Sequence, residues 1–143
     1  PIEVNPMRFG GWCTTADIFH LAYGFNPYLC YFLQEKPNWD EALKGKEGKL
    51  YSLVVLDNST GVHVNHITDF DFEKLLANFE KPLELRKIDY KEHSVFGFLF
   101  TETSTDNFIE LKGILDSNLS EFIITTEVHQ LSNESFRPKP QGK

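Results

Sequence analysis

The sequence predicts an α+β fold, a ferredoxin-like or related two-layer sandwich, and three observations carry that expectation. Strand-like and helix-like segments follow one another from Leu50 onward in the order β-β-α-β-β-α-β. The apolar positions change period as the segments change, from two residues to about 3.6. An aromatic-rich segment with helical signals comes first, and residues 1–43 hold nine of the twenty aromatic side chains.

A chain of 143 residues accommodates one domain with a true hydrophobic core. We expect that domain over residues 1–132, divided into an aromatic N-terminal segment (1–49) and a sheet-and-helix core (50–132). A polar, proline-bearing tail occupies 133–143.

In the N-terminal segment, Thr14 with Asp17 forms a capping-box pattern, which starts a helix near Thr15. Ile18, Phe19, Ala22 and Tyr23 recur at helical spacing, and Gly24 and Asn26-Pro27 punctuate the end. The run YLCYFLQ (28–34) is apolar nearly throughout, so its periodicity fits helix and strand alike. Asn38 with Glu41 caps a further turn of helix, and KGKEGK (44–49) is a charged connector.

The core begins with LYSLVVLD (50–57), apolar on both faces toward its end and therefore expected to be a buried strand. NSTG (58–61) is a turn, and the β-branched VHVNHI (62–67) returns as the second strand of a hairpin. Thr68 and Asp71 match a capping box, with Ile67 and Phe72 as its hydrophobic staple. The helix they open places Phe72, Leu75, Leu76 and Phe79 on one face, and Pro82 prevents its continuation. The half-polar LELRKIDY (83–90) suits an edge strand, whereas SVFGFLFT (94–101) suits a central one. Thr103 with Asp106 caps a second helix with the apolar face Phe108, Leu111, Ile114 and Leu115, and Asn118 is placed to end it in a left-handed cap. EFIITTEVHQL (121–131) is the last strand. The strands at 50–57 and 62–67 compete for the same inner place, so the strand order stays open.

Candidate chemistry concentrates in two places. His63 and His66 stand close to Asp69, Asp71 and Glu73. Strand alternation sends the two histidines to opposite faces, and the acids suit the start of a helix, where its dipole favours negative charge. Neither a metal site nor a cofactor is expected there. Cys13 follows Gly10, Gly11 and Trp12 just before a helix start, a setting that favours thiolate. His20, His93 or His129 would have to supply its base by folding. Two cysteines, Cys13 and Cys30, make no disulfide framework, and a reduced intracellular pair is expected. Pro1 does not precede the long alternating strand that an N-terminal proline base requires. The chain carries no glycine-rich phosphate cradle and no nucleophile elbow.

The net charge of −7 counts against direct nucleic-acid binding, because a phosphate backbone repels it. No apolar run reaches the length of a bilayer span, and the start has no basic region followed by an apolar one, so a cytoplasmic protein without membrane contact is expected. Two functional readings follow. The first is an acidic, non-enzymatic protein-binding module, of an inhibitor or immunity type, that docks on a basic protein partner. Its contact residues would be Phe9, Trp12, Tyr28 and Trp39, with acids such as Glu73, Glu80, Asp106 and Glu110. The second is a small thiol-dependent enzyme or ligand-binding protein centred on Cys13 and His20.

Overall fold

The computed structural model describes Trp12 and residues 14–125. Phe9, Cys13, His129, the 126–131 part of the last expected strand and the 133–143 tail lie outside the described residues. The fold is mixed helix and sheet. Three helices come first: α1 (Thr14–Tyr23), α2 (Pro27–Leu33) and α3 (Trp39–Ala42). They are followed by β1 (Lys49–Asp57), β2 (Ile67–Phe70), α4 (Phe72–Leu76), β3 (Lys81–Lys87), β4 (Val95–Ser104), α5 (Phe108–Asp116) and β5 (Ile123–Thr125).

β1, β4 and β3 make an antiparallel sheet in that order, with β4 in the centre. β4 takes the central place because its residues from Val95 to Thr101 are all buried, and a strand with neighbours on both edges needs apolar groups on both faces. A register shift between Leu56 and Asp57 skips Phe96 on the β1 side. That bulge resets the alternation, so Val95 and Phe98 join one core while Phe96 and Leu99 join the other.

Those two cores define three layers. On one face, Leu56, Phe96 and Leu99 pack with Leu75 and Phe79 from the α4 region, Ile67, Phe70 and Phe122, with Ile114 of α5 at the margin. On the other face, Val95, Phe98 and Phe100 pack with Leu53, Leu83 and the α1 residues Ile18 and Leu21. The N-terminal segment thus covers the sheet face that α4 and α5 leave open. Burying such side chains contributes about 1.5–3 kcal/mol each before chain entropy is counted.

Five expectations are corrected. The 50–57 and 62–67 segments do not form a hairpin. β1 spends its pairing on β4 along its whole length, and Asn58 closes the turn by donating from Nδ2 to Val62 O and accepting at Oδ1 from Thr60 Oγ1. The chain then makes a single 3-10 turn over Val64–His66, and β2 pairs with β5 in a separate ribbon. Second, β1 is an edge strand among the described residues, and Val55 is 50% exposed. Third, Asp71 caps α4 itself by accepting from Lys74 N at 2.9 Å, while the Thr68 hydroxyl donates to Ile124 O across the ribbon. The strand preference of Ile67-Thr68 wins because β5 offers it a partner. Fourth, Thr103 is buried within β4 with its hydroxyl bonded to Glu110; Ser104 caps the 3-10 turn Thr105–Asn107 by accepting from Asp106 N, and Asn107, which precedes α5, makes no side-chain cap hydrogen bond. Fifth, Asn118 is extended at φ −98° and opens the next turn rather than ending α5 in a left-handed cap.

Candidate functional site

The aromatic N-terminal segment is built outward from the sheet. Ala16 and Ala22 are small enough to let α1 lie close on β1 and β4, and both are buried. Arg86 of β3 fastens the helix from the side. Its guanidinium donates to Asp17 Oδ2 at 2.7 Å and to Glu84 Oε1 at 2.9 Å, and it lies 5.6 Å from the centre of the Phe100 ring. The hydrogen bond that Arg86 donates to Asp17 leads the causes that raise the guanidinium pKa above its ordinary value.

Gly24, at φ +76°, turns the chain out of α1, since a left-handed residue without Cβ carries no steric penalty there. Asn26 then caps α2, its Oδ1 accepting from Tyr28 N and Leu29 N, and Pro27 takes the first helical position. Asn38 caps α3 by accepting from Glu41 N. The caps hold two short helices in place that could not persist by propensity alone.

Between these helices the aromatic rings form a continuous cluster. Tyr23 contacts Phe19 at 5.7 Å, Phe25 at 6.4 Å, Trp39 at 6.4 Å and Tyr51 of β1 at 5.7 Å. Trp39 stands edge-on to Phe25 at 5.2 Å. Such edge and tilted pairs add about 0.5–1.5 kcal/mol beyond burial. The rings border an open pocket of about 310 Å³ lined by Phe19, Phe25, Pro27, Cys30, Pro37 and Trp39, together with Thr15. Its wall is almost wholly apolar.

Tyr51 anchors the cluster to the sheet. Its hydroxyl donates to Glu102 Oε2 at 3.1 Å, while Glu102 Oε1 holds Lys49 at 3.2 Å and Lys81 at 3.0 Å. Burial, reinforced by the Glu102 carboxylate, pushes the Tyr51 pKa up to about 12. Burial works against the charged form of Glu102, yet hydrogen bonds from Lys81, Lys49 and Tyr51 outweigh it and hold the carboxyl below its ordinary range.

The outer side of the segment is different. α2 has no buried residue. Leu29, Tyr31, Phe32 and Leu33 are 56%, 61%, 57% and 55% exposed, and Trp39 and Leu43 are nearly half exposed. Glu35, Asp40 and Glu41 are exposed beside them. A helix that is apolar all round is normally buried all round, so this face is an exception that calls for a function.

Among the residues singled out from sequence, Trp39 belongs to the aromatic cluster, and Tyr28 is half-buried at the start of α2. Trp12 is 51% exposed, with its ring 5.6 Å from Phe98 and edge-on to His93 at 5.4 Å. Glu73 is exposed on α4, across the sheet from the aromatic segment, and Asp106 is exposed in the turn after β4. Glu110 is not a free surface acid, since it accepts from Thr103 Oγ1 and from Glu80 N. His20 is exposed on α1, and Cys13, its proposed partner, lies outside the described residues. His63 and His66 are not sent to opposite faces, because the stretch is a 3-10 turn and not a strand; their rings lie 6.2 Å apart. Among the described residues, no group of three or more His, Cys, Asp or Glu could hold a metal ion. The sequence reading passed over Leu29 and Leu33; the signal was the absence of any polar face in YLCYFL.

Comparison with protein-family models, curated proteins and solved structures finds no match for this chain. Among the described residues, no helix is long and apolar enough to cross a membrane.

Proposed function

We propose that this protein is an acidic, non-enzymatic protein-binding module that docks on a basic protein through α2 and α3, in the manner of an inhibitor or immunity protein. One observation carries the reading: four of the five consecutive positions 29–33, Leu29, Tyr31, Phe32 and Leu33, are large, apolar and more than half exposed on a single capped helix. Protein interfaces place aromatic and aliphatic anchors at their centre and charge at their rim, and Glu35, Asp40 and Glu41 supply such a rim here. The charge of −7 speeds encounter with a basic surface and repels acidic competitors. In this reading the protein works in the cytoplasm. Its sheet is a ferredoxin-like derivative, since the order β1-β4-β3 supplies three of that sandwich's four positions.

The experiment is affinity capture on immobilised protein at low and high salt, beside the variant Phe32→Glu. A basic protein held at low salt, released by high salt and lost with Phe32→Glu is the expected result, followed by calorimetry with that protein in pure form. Equal capture by the variant, or no salt-sensitive partner at all, overturns the proposal.

A further inference from the structure

The outer edge of β1 has no strand beside it among the described residues, and an apolar groove runs along it. The groove has a volume of about 420 Å³ and lies between the β1 residues Ser52 to Asp57 and the α5 side chains Phe108, Leu111, Ile114 and Leu115. Phe108 is 57% exposed and Leu115 is 80% exposed, although both belong to the apolar stripe of their helix. A long apolar edge of this kind is a template for a further strand.

We infer that the occupant is a second copy of this chain, joined β1 to β1 across a two-fold axis at Leu53. Hydrogen-bond parity supports this register. Thr105 N donates to Gly48 O before β1 and Asn58 N donates to Ser94 O after it. In an antiparallel pair such bonds alternate, so the even-numbered residues of β1 bond to β4, and the amides of Tyr51, Leu53 and Val55 face outward. Pairing centred on Leu53 sets Leu53 against Leu53 of the second copy and Tyr51 against its Val55. Every outward-facing residue then meets another outward-facing one. A register displaced by one residue would set outward-facing amides against inward-facing ones.

Charge selects the same arrangement. β1 begins with Lys49 and ends with Asp57, both exposed. The symmetric register sets Lys49 of each copy, which also reaches Glu102 of its own sheet, opposite Asp57 of the other, so opposite charges face each other at both ends of the strand. A parallel pairing would oppose like charges and forfeit both pairs. The joined sheet has six strands and brings the two α5 helices side by side, where Phe108 and Leu115 of each cover the groove of the other. The interface is isologous and closes on itself, as a two-fold dimer must.

Sedimentation velocity across a concentration series tests this, with Val55→Pro as the decisive variant. The Val55 amide faces outward, so proline there removes a donor from the pairing edge and none from the β1–β4 ladder. The expected result is a wild-type dimer of twice the monomer mass, and a Val55→Pro monomer with an unchanged circular dichroism spectrum. If Val55→Pro does not fold, Asp57→Lys replaces it; opposing Lys49 of the second copy, it should weaken dimerisation about tenfold. A wild-type monomer overturns the inference, including one that dimerises only after removal of residues 126–143, since that chain segment would then be the occupant. A dimer indifferent to these substitutions overturns it as well.

Discussion

Tyr51 and Glu102 sit side by side on neighbouring strands, and the tyrosine hydroxyl donates to the carboxylate at 3.1 Å. This bond joins the aromatic cluster of the N-terminal segment to the ion pairs at the base of the sheet. Tyr51→Phe keeps the ring and removes the donor, and should cost about 0.5–1.5 kcal/mol in urea unfolding. The tyrosine pKa is raised to about 12, so the stability it contributes is complete below its unfolded value near 10 and is lost as pH rises toward 12. Absorbance titration should show a tyrosine ionisation step at about pH 12 in the wild type that is lost in Tyr51→Phe.

Glu102 carries the opposite dependence. Its pKa is lowered, so its contribution is present above the ordinary glutamate range and fades as pH falls through the depressed value. Lys49 and Lys81 are partly exposed, which screens both pairs. Glu102→Gln should therefore cost only about 1 kcal/mol at neutral pH. Thermal unfolding of the two proteins should converge in acid; an unchanged difference at low pH would show that the loss is one of shape and not of charge.

Asp17 and Arg86 tie α1 to β3 at 2.7 Å. Both side chains are about a third exposed, so Asp17→Asn should lower global stability by about 0.5–1 kcal/mol. Its effect should concentrate locally, and hydrogen exchange should quicken at α1 amides while β4 amides keep their protection.

Gly97 lies close against the β3 backbone at Arg86. A Cβ there would meet the Arg86 carbonyl oxygen at 2.5 Å. Gly97→Ala must push β3 from β4 and should cost about 1–3 kcal/mol, read as a fall in the midpoint of thermal unfolding. A neutral result would mean that β3 shifts freely, contrary to its paired register.

His63 and His66 lie with ring centres 6.2 Å apart and no third donor group among the described residues. Two imidazoles leave half of a tetrahedral zinc shell unfilled. Calorimetric titration with zinc should show no micromolar binding that His63→Ala removes.

Much of the fold was legible in local signals. Asn38 was readable as a cap because its side chain reaches the Glu41 amide three residues away, whereas Asn26-Pro27 signalled the end of α1 and not the start of α2. Phe72, Leu75 and Leu76 were readable as one helix face because a helix repeats every 3.6 residues, but α4 stops at Leu76, and Phe79 reaches the core from the turn after it. The burial of SVFGFLFT, and the half-polar edge at 83–90, followed from how many faces each strand must bury. The misreadings share one cause. Thr68, Thr103 and Asn118 each match a capping pattern, and each was claimed instead by a partner far away in sequence or by the next turn. The same holds for His63 and His66, whose parity was argued for a strand that lacks a neighbour to pair with.

The sequence by itself determined the class of fold, the central place of β4 and the acidic charge, because composition and periodicity act residue by residue. Only the tertiary structure decided that β1 pairs with β4 and not with the segment after it, and that Leu29, Tyr31, Phe32 and Leu33 remain uncovered. Pairing and exposure depend on which surfaces compete for the same neighbour, and that competition is settled only when the whole chain is packed.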